Sequence, residues 1–174
     1  MSIRTERPGD QRAIFDVVEA AFGSAIEARL VDRIRDSPNF VPELSLVAEL
    51  EGRIVGHVMV SFVALHDGDV RHRVCSLAPL AVAPAFHGRG VGGALVREVA
   101  EKVDARGEPL IVLEGSPAYY GRFGFEHSVP LGIRIVLPEW APPEAAQVLR
   151  LGNYEPEIRG LIVYPPAFDV ISEH

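Results

Sequence analysis

Gly88, Gly90, Gly92 and Gly93 fall within one short run, His87-Gly88-Arg89-Gly90-Val91-Gly92-Gly93, between an apolar stretch and an amphipathic one. Glycines carry no Cβ, so successive backbone N–H groups can turn toward one point, and a helix starting near Gly90 adds the positive end of its dipole. An anion is favoured there, and Arg89 supplies a mobile charge. The run reads as a phosphate cradle. A magnesium-nucleotide loop would need a lysine followed by a hydroxyl residue, and the turn has neither. A dinucleotide fingerprint fits only if Gly93 serves as its last small residue. That motif belongs after the first strand of its unit, whereas this turn lies mid-chain, so it ranks second.

Groups able to move protons are few. Glu114 closes the apolar run Pro109-Leu-Ile-Val-Leu-Glu114, and Glu49 and His57 lie on a hairpin pattern. Tyr119 and Tyr120 are adjacent, and a phenol, with a reference pKa of about 10, can donate a proton at neutral pH. His57, His66 and His72 match no zinc spacing, and no cysteine cluster accompanies them, so no metal is expected. The single cysteine, Cys75, rules out an internal disulfide and reads as a packed thiol. Arg71, His72 and Arg73 read as a solvated turn, with contact to an adenosine 3′-phosphate as the sharper alternative.

Three stretches resemble the motifs of the GNAT superfamily of N-acetyltransferases, in the family's order. His87-Gly88-Arg89-Gly90-Val91-Gly92 is similar to its acyl-CoA signature Gln/Arg-x-x-Gly-x-Gly/Ala, with histidine in the first position. Leu80-Ala-Val-Ala-Pro84 resembles its Leu-x-Val-x-Pro strand end, and Tyr119-Tyr-Gly-Arg-Phe-Gly-Phe125 its Tyr-x-Lys/Arg-x-Gly-Phe segment. The resemblance implies an acyl-CoA-dependent acetyltransferase acting on a primary amine. The pantetheine arm would follow Leu80, Ala81 and Val82, whose amide would polarise the thioester carbonyl. The pyrophosphate would lie on the amides of His87, Gly88, Arg89, Gly90, Val91 and Gly92. Ser116 and Tyr120 join the acyl-CoA contacts, Tyr120 as general acid to the thiolate. Glu114 leads Glu49 and His57 as candidate base, with ordered water as an alternative. An acyl-CoA-binding sensor of the same fold without turnover is the other reading.

Elements must hold these residues. The implied fold is α/β (α+β): a central mixed, mostly antiparallel sheet, splayed at the acyl-CoA strand and flanked by helices. A strand at residues 3–6 precedes a helix opened by Pro8-Gly-Asp10, with Asp10 as cap and Ile14, Val17, Val18 and Phe22 at helical spacing. A second helix runs from about Ser24 until Pro38 stops it, and the loop 40–44 is a candidate substrate lid by resemblance. Residues 44–50 and 53–65 form a hairpin through Glu51-Gly52, and 70–83 a third antiparallel strand carrying Pro79 and Pro84. A helix over 90–106 buries Val91, Leu95, Val99 and Val103, and 109–114 is a strand parallel to the one before that helix. Ser116 caps a short helix with Pro117 in its first turn. Beyond Ser128 the pattern predicts a strand over 132–137, a short inserted helix over 142–151 and a closing strand over 160–164.

At 174 residues, 48% of them hydrophobic, one domain over 1–174 with a sizeable core is expected. No apolar run reaches a membrane span and the N-terminus lacks a secretory pattern, so the expected compartment is cytoplasmic. A net charge of −7 disfavours a nucleic-acid footprint and suits a cationic substrate. The acceptor amine is left open, and a homodimer through the last strands is one arrangement the pattern allows.

Overall fold

The computed structural model describes residues 1–172. The chain divides into two compact units, one made of Met1–Ser61, Leu77–Lys102 and the segment from Pro166 on, the other of Phe62–Ser76 and Val103–Pro165. Strands β3 (Arg53–Asp67) and β4 (Val70–Val82) and helix α3 (Val91–Ala105) run through both.

In the first unit, β1 (Ser2–Thr5), β2 (Ser45–Leu50), β3 and β4 follow one another as neighbours. The β2–β3 hairpin turns at Glu51 and Gly52, both at positive φ, as its turn signal predicts. Helices α1 (Gln11–Phe22) and α2 (Ile26–Arg35) pack on each other and bury Ile14, Val17, Val18, Leu30, Val31 and Ile34. Each such side chain contributes about 1.5–3 kcal/mol of burial. Asp10 precedes α1 but makes no side-chain cap; its carboxylate accepts instead from the Arg7 N–H at 2.6 Å and the Arg4 guanidinium at 2.8 Å. Helix α3 lies close on β3: a Cβ added at Gly56 would meet Val91 and Leu95 side-chain atoms at 3.0 Å. Val91, Leu95, Val99 and Val103 are all buried, as their spacing predicts.

In the second unit β4 pairs in parallel with β5 (Leu110–Glu114) at Cys75↔Ile111 and Ser76↔Val112. This short parallel ladder is the one expected on either side of a crossover helix. Beyond Ser128 the sequence prediction holds for the closing strand and fails for the inserted helix. Residues 142–151 are not a helix: a 3₁₀ turn, Pro143–Ala145, leads into strand β8 (Ala146–Arg150), antiparallel to β5 from Leu110↔Arg150 to Glu114↔Ala146. Helix formers in that segment are overridden because β5 is buried and its open edge must be hydrogen-bonded. The strand predicted over 132–137 shrinks to β7 (Ile133–Arg134), β6 (Glu126–His127) adds to β8, and β9 (Gly160–Val163) pairs with both β3 and β7. Antiparallel pairings predominate, with helices α1 to α3, α4 (Pro117–Tyr120) and α5 (Asp169–Ser172) accompanying the strands. Among the described residues, no helix is long and apolar enough to cross a membrane.

Candidate active site

In the first unit, β4 ends at Val82 and a 3₁₀ turn, Pro84–Phe86, delivers the chain to the glycine run. Gly88 and Gly90 adopt φ of 77° and 79°, a conformation that side chains disfavour. The first helical bond of α3 runs from the Ala94 N–H to the Gly90 carbonyl, so the amides of Val91, Gly92 and Gly93 stand ahead of the ladder. No acidic residue occupies that first turn, and Arg89 stacks its guanidinium 5.2 Å from the Phe86 ring. The turn thus has a geometry able to take an anion, except that the His87 N–H is turned inward to the Pro84 carbonyl at 3.3 Å. Its ring instead reaches back, Nε2 lying 2.8 Å from the Val82 carbonyl oxygen, a tie no motif signals.

The Ala83 N–H donates to the Val55 carbonyl of β3 at 2.8 Å. Successive strand amides point to opposite edges, which directs the Val82 N–H to the edge away from β3. That is the amide a thioester carbonyl would need. Leu80 and Ala81 precede it on the same strand.

In the second unit, Ser116 caps α4, its Oγ accepting from the Tyr119 N–H at 3.3 Å. Tyr120 packs edge-on against Tyr119 and Phe125, at ring centroid separations of 4.9 and 5.8 Å. A Cβ at Gly115 would come within 2.6 Å of the Tyr120 ring, so the glycine makes room for it. Burial pushes the Tyr120 phenol up to about 12, with the neighbouring Tyr119 adding a smaller push. The phenol is thereby kept protonated at neutral pH. Tyr119 is covered on another side by the Arg122 guanidinium, 4.6 Å from its ring.

Glu114 is the last residue of β5 and its exposed one, after four buried apolar residues. Burial raises its carboxyl above the usual carboxylate range; the Tyr164 hydroxyl, donating to Oε2 at 2.7 Å, opposes that rise. Tyr164 was missed, since nothing in residues 160–164 marks it as more than the end of a strand.

The other candidate bases lie elsewhere. Glu49 bonds to Arg4 at 2.9 Å, beside a cleft of ≈ 550 Å³ between α1 and the start of β3. His57 is fully buried, its Nε2 3.1 Å from the Ser45 hydroxyl, and burial drives its pKa down to about 3 with help from the Arg35 charge. It is a core residue closed off from solvent. Cys75 is buried as expected, its thiol pushed up to about 12 by burial first and by Glu108 second, away from nucleophilic form. Arg73 stacks 3.8 Å from the Phe62 ring centroid and approaches Glu108 at 3.4 Å, and Arg71 turns onto the Gly68 and Val70 carbonyls. Among the described residues, no group of His, Cys, Asp and Glu side chains is placed to hold a metal ion.

The family model described as Acetyltransferase (GNAT) domain matches residues 2–128. The chain belongs to the GNAT family of N-acetyltransferases. Among its relatives, the Escherichia coli N-acetyltransferase YhbS is 34% identical over 172 residues, 97% of this chain and 99% of that protein. YjhQ, from the same organism, is 38% identical over 120 residues, which span 67% of this chain and 65% of YjhQ. The crystal structure of E. coli YhbS in complex with CoA matches with a TM-score of 0.83 at 31% identity, covering 97% of this chain and 91% of that one. A GNAT acetyltransferase from Brucella melitensis in complex with acetyl-CoA matches with a TM-score of 0.78 at 34% identity over 97% of each chain. The mixed, mostly antiparallel sheet with its helices is thus the GNAT fold.

Proposed function

We propose that this GNAT protein, as one domain over residues 1–174, transfers acetyl from acetyl-CoA to a primary amine in the cytoplasm by direct attack within a ternary complex. The observation that carries the reading is the pairing, on one continuous stretch, of a Val82 N–H turned away from β3 with an anion cradle formed by positive-φ Gly88 and Gly90 and the free first-turn amides of α3. The complexes of YhbS with CoA and of the Brucella protein with acetyl-CoA support the same ligand here.

The residues divide the work by chemistry. Amides from Gly88 to Gly92 hold the pyrophosphate, with Arg89 as mobile counter-charge, and Leu80, Ala81 and Val82 hold the pantetheine arm as an added strand would be held. The Val82 N–H donates to the thioester oxygen as charge develops on it. Glu114 takes the proton that the attacking amine must lose, and Tyr120 gives a proton to the sulfur as the C–S bond breaks and the C–N bond forms. Ser116 caps the helix that carries Tyr120 and contributes to the acyl-CoA contacts. The products are an amide and free CoA thiol, so protons and charge balance.

Isothermal titration with acetyl-CoA and with CoA, followed by thiol release against a panel of primary amines, tests this directly. Micromolar binding with amine-dependent release is expected. Binding without release from any amine would move the assignment to an acyl-CoA sensor, and no binding would overturn it.

A further inference from the structure

Glu114 and Tyr164 are 50 residues apart in sequence, yet the phenol donates to Glu114 Oε2 at 2.7 Å. We propose that Tyr164 is the positioning residue of the catalytic base: by holding Oε2 it fixes the carboxylate plane and leaves Oε1 as the oxygen that takes the proton from the acceptor amine. The inference rests on the reading of Glu114 as general base given above.

Both ends of the contact are anchored by backbone. Around Glu114, the strand pairs with Ala146, the Gly115 N–H donates to the Ala145 carbonyl at 3.0 Å, and the Gly115 carbonyl accepts from Gln147 Nε2 at 2.9 Å. The Glu114 Cα is therefore fixed, and only its side-chain torsions remain free. On the other side, Val163 pairs with Ala64 of β3 and sets the backbone that leads into Tyr164. A single hydrogen bond between two anchored residues removes the remaining rotamer freedom of the carboxylate, which a base must lose to act at one place.

The surroundings keep the phenol protonated, so that it donates to Glu114. Burial raises the Tyr164 pKa far above the ordinary phenol range, and the Glu114 charge and hydrogen bond add to the rise. On the strands leading to it, the residues that share its face, Ile162, Leu65 and Ile133, are apolar and buried. His66 and Arg134 fall on the opposite face. On the Glu114 side, the charged residues on the same face of β6 and β8 are Glu126 and Arg150, which bond to each other at 3.0 Å. From α4 and the turn after it, Tyr120 packs over Gly115 and Arg122 is held on Tyr119. No other charge competes with the Tyr164 hydroxyl for Glu114 among the described residues. Two opposing influences then set the base: burial strengthens its hold on a proton, and the Tyr164 bond, made to the ionised form, weakens it.

The test compares wild type, Tyr164→Phe and Glu114→Gln, as full chains, with acetyl-CoA and the amine giving most thiol release. Tyr164→Phe is expected to lower kcat/KM about tenfold at about pH 8.5, where Glu114 is ionised but no longer held, and by more near pH 6, because the freed carboxylate also binds its proton more tightly. Acetyl-CoA affinity should not change. In parallel, ¹³C NMR of the glutamate carboxyls, with Glu114 assigned from its loss in Glu114→Gln, should show the Glu114 titration midpoint moving to higher pH in Tyr164→Phe. Activity equal to wild type at about pH 8.5, where Glu114 is ionised in both proteins, overturns the positioning role, and an unmoved midpoint shows that the hydrogen bond to Glu114 is not made. If Glu114→Gln keeps full activity with the wild-type pH profile, the base assignment itself fails, a result distinct from the Tyr164 outcome.

Discussion

His57 Nε2 lies 3.1 Å from the hydroxyl oxygen of Ser45, and both residues are fully buried. Ser45 spends its one proton on the Glu6 carboxylate, to which Arg35 is paired at 3.0 Å. The Ser45 oxygen therefore accepts from His57, which fixes the Nε2–H tautomer and leaves Nδ1 bare, without a partner among the described residues. A second proton on this ring would find no acceptor and would sit near the Arg35 charge.

Acid should therefore loosen the fold through His57. Its pKa is lowered from 6.5 to about 3, so the folded state keeps the ring neutral while the unfolded chain protonates it. The stabilisation is complete above the unfolded pKa and is lost as pH falls from about 6.5 toward 3, at up to about 1.4 kcal/mol per pH unit. Urea midpoints at pH 7 and about pH 5, above the range where carboxylates titrate, should fall in wild type. In His57→Gln they should start lower and fall less; parallel decline of the two proteins would refute the assignment.

Gly90→Ala probes the anion cradle. Nothing lies within 4 Å of the added Cβ, so the protein alone should lose only about 1 kcal/mol from strain at a φ of 79°. Acyl-CoA binding should fall about tenfold or more, because the methyl stands where a phosphate must approach backbone amides. A Kd by titration calorimetry within twofold of wild type would place the pyrophosphate elsewhere.

Tyr120→Phe should reduce kcat by about 10²-fold with acetyl-CoA affinity within about threefold, since a general acid acts only as the sulfur leaves. Gly115→Ala should reproduce part of that loss without touching the phenol, as its methyl would lie 2.6 Å from the Tyr120 ring and displace it. Steady-state kinetics beside binding separates the two quantities. Equal losses in both would mark Tyr120 as a packing residue.

Gly160→Ala should damage the closing strand. The residue sits at φ 134°, and an added Cβ would fall 2.2 Å from the His66 carbonyl oxygen. Strain and overlap together should remove about 3 kcal/mol, or roughly 6–12 °C of melting temperature. Tyr164 follows this strand, so the variant should also show the acid-side activity loss expected of Tyr164→Phe. A melting curve within 1–2 °C of wild type, a shift on the order of the smallest that a 1 kcal/mol change gives, would contradict the placement.

The sequence by itself determined those features whose causes lie within a few residues of each other. Gly88 and Gly90 ahead of a helix start define the turn at 88–93, the 3.6-residue spacing of Val91, Leu95, Val99 and Val103 defines the buried face of α3, and Glu51-Gly52 defines the hairpin. The tertiary structure alone decided what depends on a distant partner. Residues 146–150 carry helix formers but become β8, because the buried edge of β5 offers five register positions that must be bonded. His57 looked like a base on a hairpin until α2 brought Arg35, and β1 led the chain to Glu6, over it. Glu114 acquires Tyr164 across 50 residues for the same reason: strand pairing brings together backbones that no local periodicity relates, and side-chain chemistry follows the backbones.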